Sequence, residues 1–213
     1  MNFLSDDLEY YLSQHHDPEE DLLAELNRQT HLKILQPRML SGPLQGRYLS
    51  FLSKLLRPER ILEIGTYTGY SALCLAEGLA PSGRLHTIEI NDELESFTQS
   101  FFSRSAYADK LKLHIGDALE IIDELKEPWD LIFIDADKPR YLNYYEKLIP
   151  QLKSGAVILA DNVLWSGKVL KEPDPRDEST LALVEFNRFV QDDDRVENLL
   201  LPLRDGLMCI RKK

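Results

Sequence analysis

Ile61-Leu62-Glu63-Ile64-Gly65-Thr66-Tyr67-Thr68-Gly69-Tyr70-Ser71 runs a short apolar segment into a glycine-bearing turn that opens an amphipathic stretch from Tyr70 to Leu79. The same unit recurs: Leu85 to Ile90 then Asp92 to Arg104, Leu111 to Ile115 then Ala118 to Leu125, Leu131 to Ile134 then Tyr141 to Leu152. Such alternation predicts an α/β fold, a parallel sheet covered by helices on both faces. Upstream lies a helical leader, with Leu22, Leu23 and Leu26 on one face after the Asp17-Pro18 turn and Tyr48, Leu49, Leu52, Leu55 and Leu56 on another. Downstream, Ala156-Val157-Ile158-Leu159-Ala160 reads as a fifth buried strand, followed by a loop through Pro173 and Pro175 and a helix from about Asp177 to Val190. The last two strand candidates, Val196 to Leu201 and Leu207 to Ile210, are joined only by Pro202 to Gly206. That is too short for a right-handed crossover, so the pair should be an antiparallel hairpin at one sheet edge.

The chain has 213 residues, 43% of them hydrophobic, which is enough for one full core. One domain, 1–213, is expected: a helical leader over 1–57 and an α/β core over 58–213. A formal net charge of -11 makes the surface repel phosphate backbones and anionic lipid. No apolar run approaches the ~20 residues needed to cross a bilayer. Met1 to Asp7 lacks the basic-then-apolar pattern of a secretion signal, so a cytoplasmic location is expected. Cys74 and Cys209, far apart in apolar sequence, read as buried free thiols.

Ligands of an open parallel sheet bind outside the carboxyl ends of its strands. Here those ends carry Glu63, Glu89, Asp117, Asp135 and Asp161. The first turn has neither glycine spacing that cradles phosphate, and an acid before Gly65 would repel pyrophosphate, which argues against a nicotinamide or triphosphate ligand. A phosphate-free, positively charged nucleoside fits better, with Gly65 backbone close to it, Glu89 accepting the ribose hydroxyls and Asp117 reading the adenine amino group. S-adenosylmethionine meets these demands. Asp135 and the pair Asp161-Asn162 follow directly on apolar runs, so two neighbouring strand ends would aim three oxygen-bearing side chains at one point. Oxygen-only ligation suits Mg²⁺, Mn²⁺ or Ca²⁺ rather than zinc.

Four stretches, Glu63 to Ser71, Asp135-Ala136-Asp137-Lys138, Asp161 to Gly167 and Leu201 to Gly206, resemble the cation-dependent class I O-methyltransferases of the caffeoyl-CoA and catechol type. The likeness runs from roughly Leu32 to the C-terminus. It implies a Rossmann-like fold with a mostly parallel seven-stranded sheet, an antiparallel C-terminal hairpin and N-terminal helices forming an acceptor-side cap. It also implies metal ligation by Asp135, Asp161 and Asn162, and cofactor contacts from Glu63, Gly65, Tyr67, Ser71, Glu89, Asp117, Ala118 and Asp135. Lys138 takes the role of general base, because a neighbouring dication disfavours its charged form. Met39 and Trp165 fall where the family's acceptor-pocket residues lie. Holding a catechol oxygen in line with the methyl donor can account for ~7–11 kcal/mol of barrier.

Other features read as structural. Asp137 is expected to cap the helix after Pro139, Asp192-Asp193-Asp194 to be a solvated helix end, and His15-His16 a surface pair. The chain departs from the family at Arg204, where plant members carry glycine, at Pro139, which replaces an acid, and in the loop from Lys168 to Glu178. These departures keep a caffeoyl-CoA substrate from being carried over. A small phenolic acceptor and a homodimer are the expected partners. Two further readings stand beside this one: the same chemistry on a hydroxylated tRNA base, gripped by a basic mouth of Lys33, Arg38, Lys168 and Lys171, and a non-catalytic cofactor-binding protein.

Overall fold

The structure is a computed structural model and describes residues 5–213; Met1 to Leu4, part of the stretch read for a secretion signal, lie outside the described residues. The elements in chain order are α1 (Asp6–Ser13), α2 (Asp21–Lys33), α3 (Gly42–Leu56), β1 (Arg60–Ile64), α4 (Tyr70–Ala76), β2 (Arg84–Glu89), α5 (Glu95–Phe102), β3 (Leu111–Ile115), α6 (Ala118–Leu125), β4 (Leu131–Ile134), α7 (Tyr141–Leu148), β5 (Val157–Asp161), α8 (Glu178–Asp192), β6 (Val196–Leu201) and β7 (Leu207–Lys212). Seven strands form one sheet in the order β3-β2-β1-β4-β5-β7-β6. The first five are parallel, and β7 runs antiparallel to both β5 and β6, as the short turn required. Among the described residues no helix is long and apolar enough to cross a membrane.

Strand periodicity explains the two-sided core. Leu62, Ile64, Ile132, Ile134, Ile158 and Ala160 pack against α6, α7 and α8 on one face, and Ile61, Phe133, Leu159 and Leu207 against α2 to α5 on the other. Burial on both faces is why the strands read as continuous apolar runs rather than alternating ones.

Helix α3 corrects the sequence reading. Its inward face is Gln45, Gly46, Leu49, Ser50 and Ser53, whereas Phe51, Leu55 and Leu56 are exposed. Small residues face inward because α3 lies almost on the backbone of α4. Ser53 Oγ donates to the Leu75 carbonyl at 2.6 Å, and a Cβ on Gly78 would sit 2.1 Å from the Ser53 carbonyl carbon. Glu77 then gathers Arg47, Ser50 and Lys54 around its carboxylate.

Two carboxylates read as plain surface or cap groups are bonded otherwise. Asp137 stands before the turn Lys138–Arg140 without capping it, and accepts instead from the Tyr144 hydroxyl at 2.6 Å. Asp193 at the end of α8 is not solvated: it accepts from the Tyr145 hydroxyl at 2.8 Å and pairs with Arg195. Both shifts have one cause, since α7 presents tyrosines whose buried hydroxyls require acceptors.

Replacing Gly78 by alanine should force α3 off α4. The unfolding free energy should fall by about 3 kcal/mol or more in urea titration, at the upper end for overpacking; a loss below about 0.5 kcal/mol would contradict the close packing.

Candidate active site

Alternation along the strands decides which side chains meet. Glu63 follows Ile61, Glu89 follows Thr87, Asp135 follows Phe133 and Asp161 follows Leu159, two residues apart, on the sheet face covered by α3 and α4. The strand order reverses at β1, between β2 and β4, which opens the crevice where ligands of such sheets bind.

The β1 end forms one half. Gly65 has a φ of 98°, and a Cβ there would lie 2.1 Å from the Asp135 carbonyl oxygen, so only glycine lets the turn pass β4. Glu63 is fully buried. One carboxyl oxygen accepts from Thr87; the other, Oε1, has no hydrogen-bond partner. Burial raises its pKa to about 8, and the Asp135 and Glu89 charges push the same way against the hydroxyls of Ser71 and Thr87. Glu89 is stitched to the turn: its two oxygens accept from the backbone N–H groups of Tyr67 at 2.7 Å and Asn91 at 3.0 Å. Tyr67 itself has a left-handed φ of 51° and donates its hydroxyl to the Leu35 carbonyl, tying this turn to the leader. Asp117 caps α6 through Leu119 N–H at 2.8 Å and pairs with Arg140 at 2.7 Å, which holds its carboxyl below the usual range. Ala118, the next residue, opens α6 and is buried.

The ends of β4 and β5 form the other half. Ile134 is registered with Ala160, so Asp135 and Asp161 are the next pair along. Asp161 is 1% exposed, and its carboxyl is pushed well above the usual range, by burial first and the Asp135 charge second. Its Oδ1 accepts from the Asn162 backbone N–H at 2.8 Å and its Oδ2 from the Gln45 amide at 2.8 Å. Asn162 follows with a left-handed φ of 60°. Lys138 is buried and spends its ammonium hydrogens on Asp135 Oδ1 at 2.9 Å, the Ala136 carbonyl at 3.0 Å and the Tyr141 hydroxyl at 2.8 Å. It is therefore no surface ammonium paired with Asp137. The Tyr141 hydroxyl in turn lies 3.0 Å from the Asp161 carbonyl and 3.2 Å from that of Ile134, bridging the two strand ends.

On the outer side, Met39 is 56% exposed on the turn Pro37–Met39, which excludes a core role. Trp165, at a φ of 48°, holds its ring 5.9 Å from Lys138 Nζ, and its indole N–H is buried without a partner. Pro139, Lys168, Asp174 and the stretch from Arg176 to Ser179 line an open crevice of about 560 Å³. Of the basic mouth, Lys168 is paired with Asp177 at 2.7 Å, and the Arg38 guanidinium with the Gln36 side chain at 3.2 Å.

Residues 13–213 match the O-methyltransferase family profile. The chain belongs to the O-methyltransferase family. It is 35% identical over 178 residues to caffeoyl-CoA O-methyltransferase 1 of Eucalyptus globulus, covering 79% of this chain and 72% of the relative. Identity to caffeoyl-CoA O-methyltransferase 1 of Arabidopsis thaliana is 32% over 221 residues, covering 98% and 85%. Among solved structures, an SAH-bound methyltransferase of Podospora anserina superposes with a TM-score of 0.90 at 30% identity, covering 98% of this chain and 94% of that one. The Streptomyces achromogenes O-methyltransferase TomG, involved in tomaymycin synthesis and solved with SAM, gives 0.88 at 28% identity, covering 97% and 96%. This enzyme is a SAM-dependent O-methyltransferase of the class I fold.

Several side chains of this methyltransferase site escaped the sequence reading. Ile90, directly after Glu89 at the end of β2, leaves a large apolar side chain 70% exposed, and its place after a strand-end acid was the available signal. Arg140 and Tyr141 follow closely on Lys138, whereas Gln45 and Arg204 reach the site from a helix and a turn distant in sequence, and no local pattern gives the targets of these side chains.

Proposed function

We propose that this methyltransferase transfers the methyl group of S-adenosylmethionine to one hydroxyl of a catechol-like small molecule with a divalent cation at Asp135, Asp161 and Asn162. The observation that carries the reading is the pairing of two carboxylates at adjacent strand ends, one of them fully buried and held above its usual pKa by that burial first and by the charge of the other second. Excess negative charge in a dry site, offered by oxygen donors alone, is what a hard cation neutralises.

Glu63 Oε1, buried and without a partner among the described residues, is a ready acceptor for the methionine ammonium, with Ser71 beside it and Tyr67 on the same turn, bonded to Glu89. Glu89 still has lone pairs for ribose hydroxyls, Asp117 and the start of α6 at Ala118 face the base, and Ile90 offers apolar surface to it. When bound, the cation supplies Lewis acidity toward two vicinal acceptor oxygens and the cofactor supplies an electrophilic methyl group. Lys138 holds its ammonium on Asp135 at 2.9 Å, at the edge of the proposed cation site. Lys138 Nζ, 2.9 Å from Asp135 Oδ1, is the group that would take the acceptor proton. Trp165 and Met39 bracket the acceptor ring, orienting it and excluding water. In this reading residues 1–57 are the acceptor-side cap on a 58–213 core, and the apolar α3 surface of Phe51 and Leu55 is where a second copy of the chain packs.

Two outcomes follow. Methylation of a catechol should stop in EDTA, return with Mg²⁺, and fall at least about 100-fold in Asp161→Ala, at or beyond the range for outer-shell changes; full turnover in chelator would contradict the proposal. Glu63 supplies a second test through its pKa of about 8, which leaves it protonated at pH 7 in the free enzyme. A bound ammonium favours the carboxylate, so SAH binding should release most of a proton at pH 7, and affinity should rise between about pH 5.5 and 7.5. Calorimetry in two buffers of different ionisation enthalpy checks this, with Glu63→Gln expected to abolish the release. No release from the wild type would remove Glu63 from the cofactor site.

A further inference from the structure

Gln45 is completely buried, yet its amide meets no backbone. Its Nε2 donates to Asp161 Oδ2 at 2.8 Å, and its Oε1 accepts from Arg204 Nη1 at 3.1 Å. The same Nη1 is held against the carbonyl oxygens of Leu40, at 2.9 Å, and Ser41. Arg204 does this from the turn between β6 and β7 with a φ of 48°, a conformation that disfavours any residue with a Cβ. Two parts of the chain distant in sequence, the segment after Met39 with the start of α3 and the β6–β7 turn, thus meet at the Arg204 guanidinium and connect through one amide to one carboxylate oxygen.

The chemistry of that amide is directional. A glutamine end group is a donor on one side and an acceptor on the other, and the two can exchange by rotation. Rotated, it would set Oε1 against the Asp161 carboxylate and Nε2 against the guanidinium, two repulsive contacts. Arg204 therefore fixes the rotamer that donates to Asp161. Because the amide is neutral, it orients the carboxylate without cancelling its charge, which a lysine at this position would do. Outer groups that hydrogen-bond a ligating carboxylate in this way orient it and tune its affinity.

We propose that Gln45, locked by Arg204, is the positioning residue of Asp161 for cation binding, and that this link ties the acceptor-side segment around Met39 to the metal. The inference rests on the cation site proposed above. It goes beyond that site in assigning roles to Gln45 and Arg204, which act through Asp161.

The test is Mn²⁺ affinity of the full-length protein, by electron paramagnetic resonance of free Mn²⁺, alongside SAH affinity by calorimetry and the melting temperature. Gln45→Met should weaken Mn²⁺ binding about 10–100-fold, the range for outer-shell partners of metal ligands, while SAH binding without metal is unchanged. Arg204→Met should weaken Mn²⁺ binding too, the double variant should bind no more weakly than Gln45→Met alone, and Arg204→Lys should restore part of the loss. Should Gln45→Met fail to fold, as a lost SAH signal would reveal, the Arg204→Met and Arg204→Lys pair carries the same test. Wild-type Mn²⁺ affinity in folded Gln45→Met and Arg204→Met, with binding abolished in Asp161→Ala, would overturn the inference and leave the cation site standing. No Mn²⁺ binding by the wild type would remove the site itself and the inference with it.

Discussion

Parallel pairing of β4 with β5 puts Asp135 and Asp161 at neighbouring strand ends, on the face that α3 covers, and most of the site is arranged around that juxtaposition. Two carboxylates brought together out of water repel each other and lose hydration, a penalty of several kcal/mol per ion in proteins. Nothing in the hydrophobic core relieves it. The relief comes from groups delivered to the pair: the Lys138 ammonium on Asp135, the Gln45 amide and a backbone N–H on Asp161, and the Tyr141 hydroxyl on the carbonyl groups of both strand ends.

Partial relief is what makes the arrangement useful. Lys138 is the one full positive charge bonded to the pair, so Asp161 remains buried with an elevated proton affinity. Under the proposed function, that unrelieved negative charge is what a cation would neutralise. The β1 end follows the same logic, with Glu63 buried, half-bonded and carrying a proton that a cationic ligand can displace. Local departures from the rules of a stable core therefore cluster in one crevice, where strand order reverses.

Much of this was legible in the sequence because strands and turns write local patterns. The apolar runs gave the strands, the short Pro202 to Gly206 turn gave the antiparallel hairpin, and an acid after each run marked the crevice rim. What stayed hidden depends on packing between distant segments. On α3 the expected face holds at Leu49 and in part at Tyr48 and Leu52, but Leu55 and Leu56 are exposed, because close approach of Ser53 to Gly78 favours small residues over large ones. Asp137 read as a helix cap and Asp193 as part of a solvated helix end, and only the tyrosines of α7 reveal why they are held. Arg204 was visible as a departure from a family glycine, but not its target, since Leu40, Ser41 and Gln45 lie at the other end of the chain.

The central claim is that the β4 and β5 ends share one cation. Crystals grown with Mn²⁺ and SAH test it through the anomalous signal of the metal. The account predicts one strong peak about 2.1 Å, a hard-cation bond length, from oxygens of Asp135, Asp161 and Asn162, with Lys138 Nζ released from Asp135. Clear density for SAH with no peak at those residues, and Lys138 still bonded to Asp135, would contradict it.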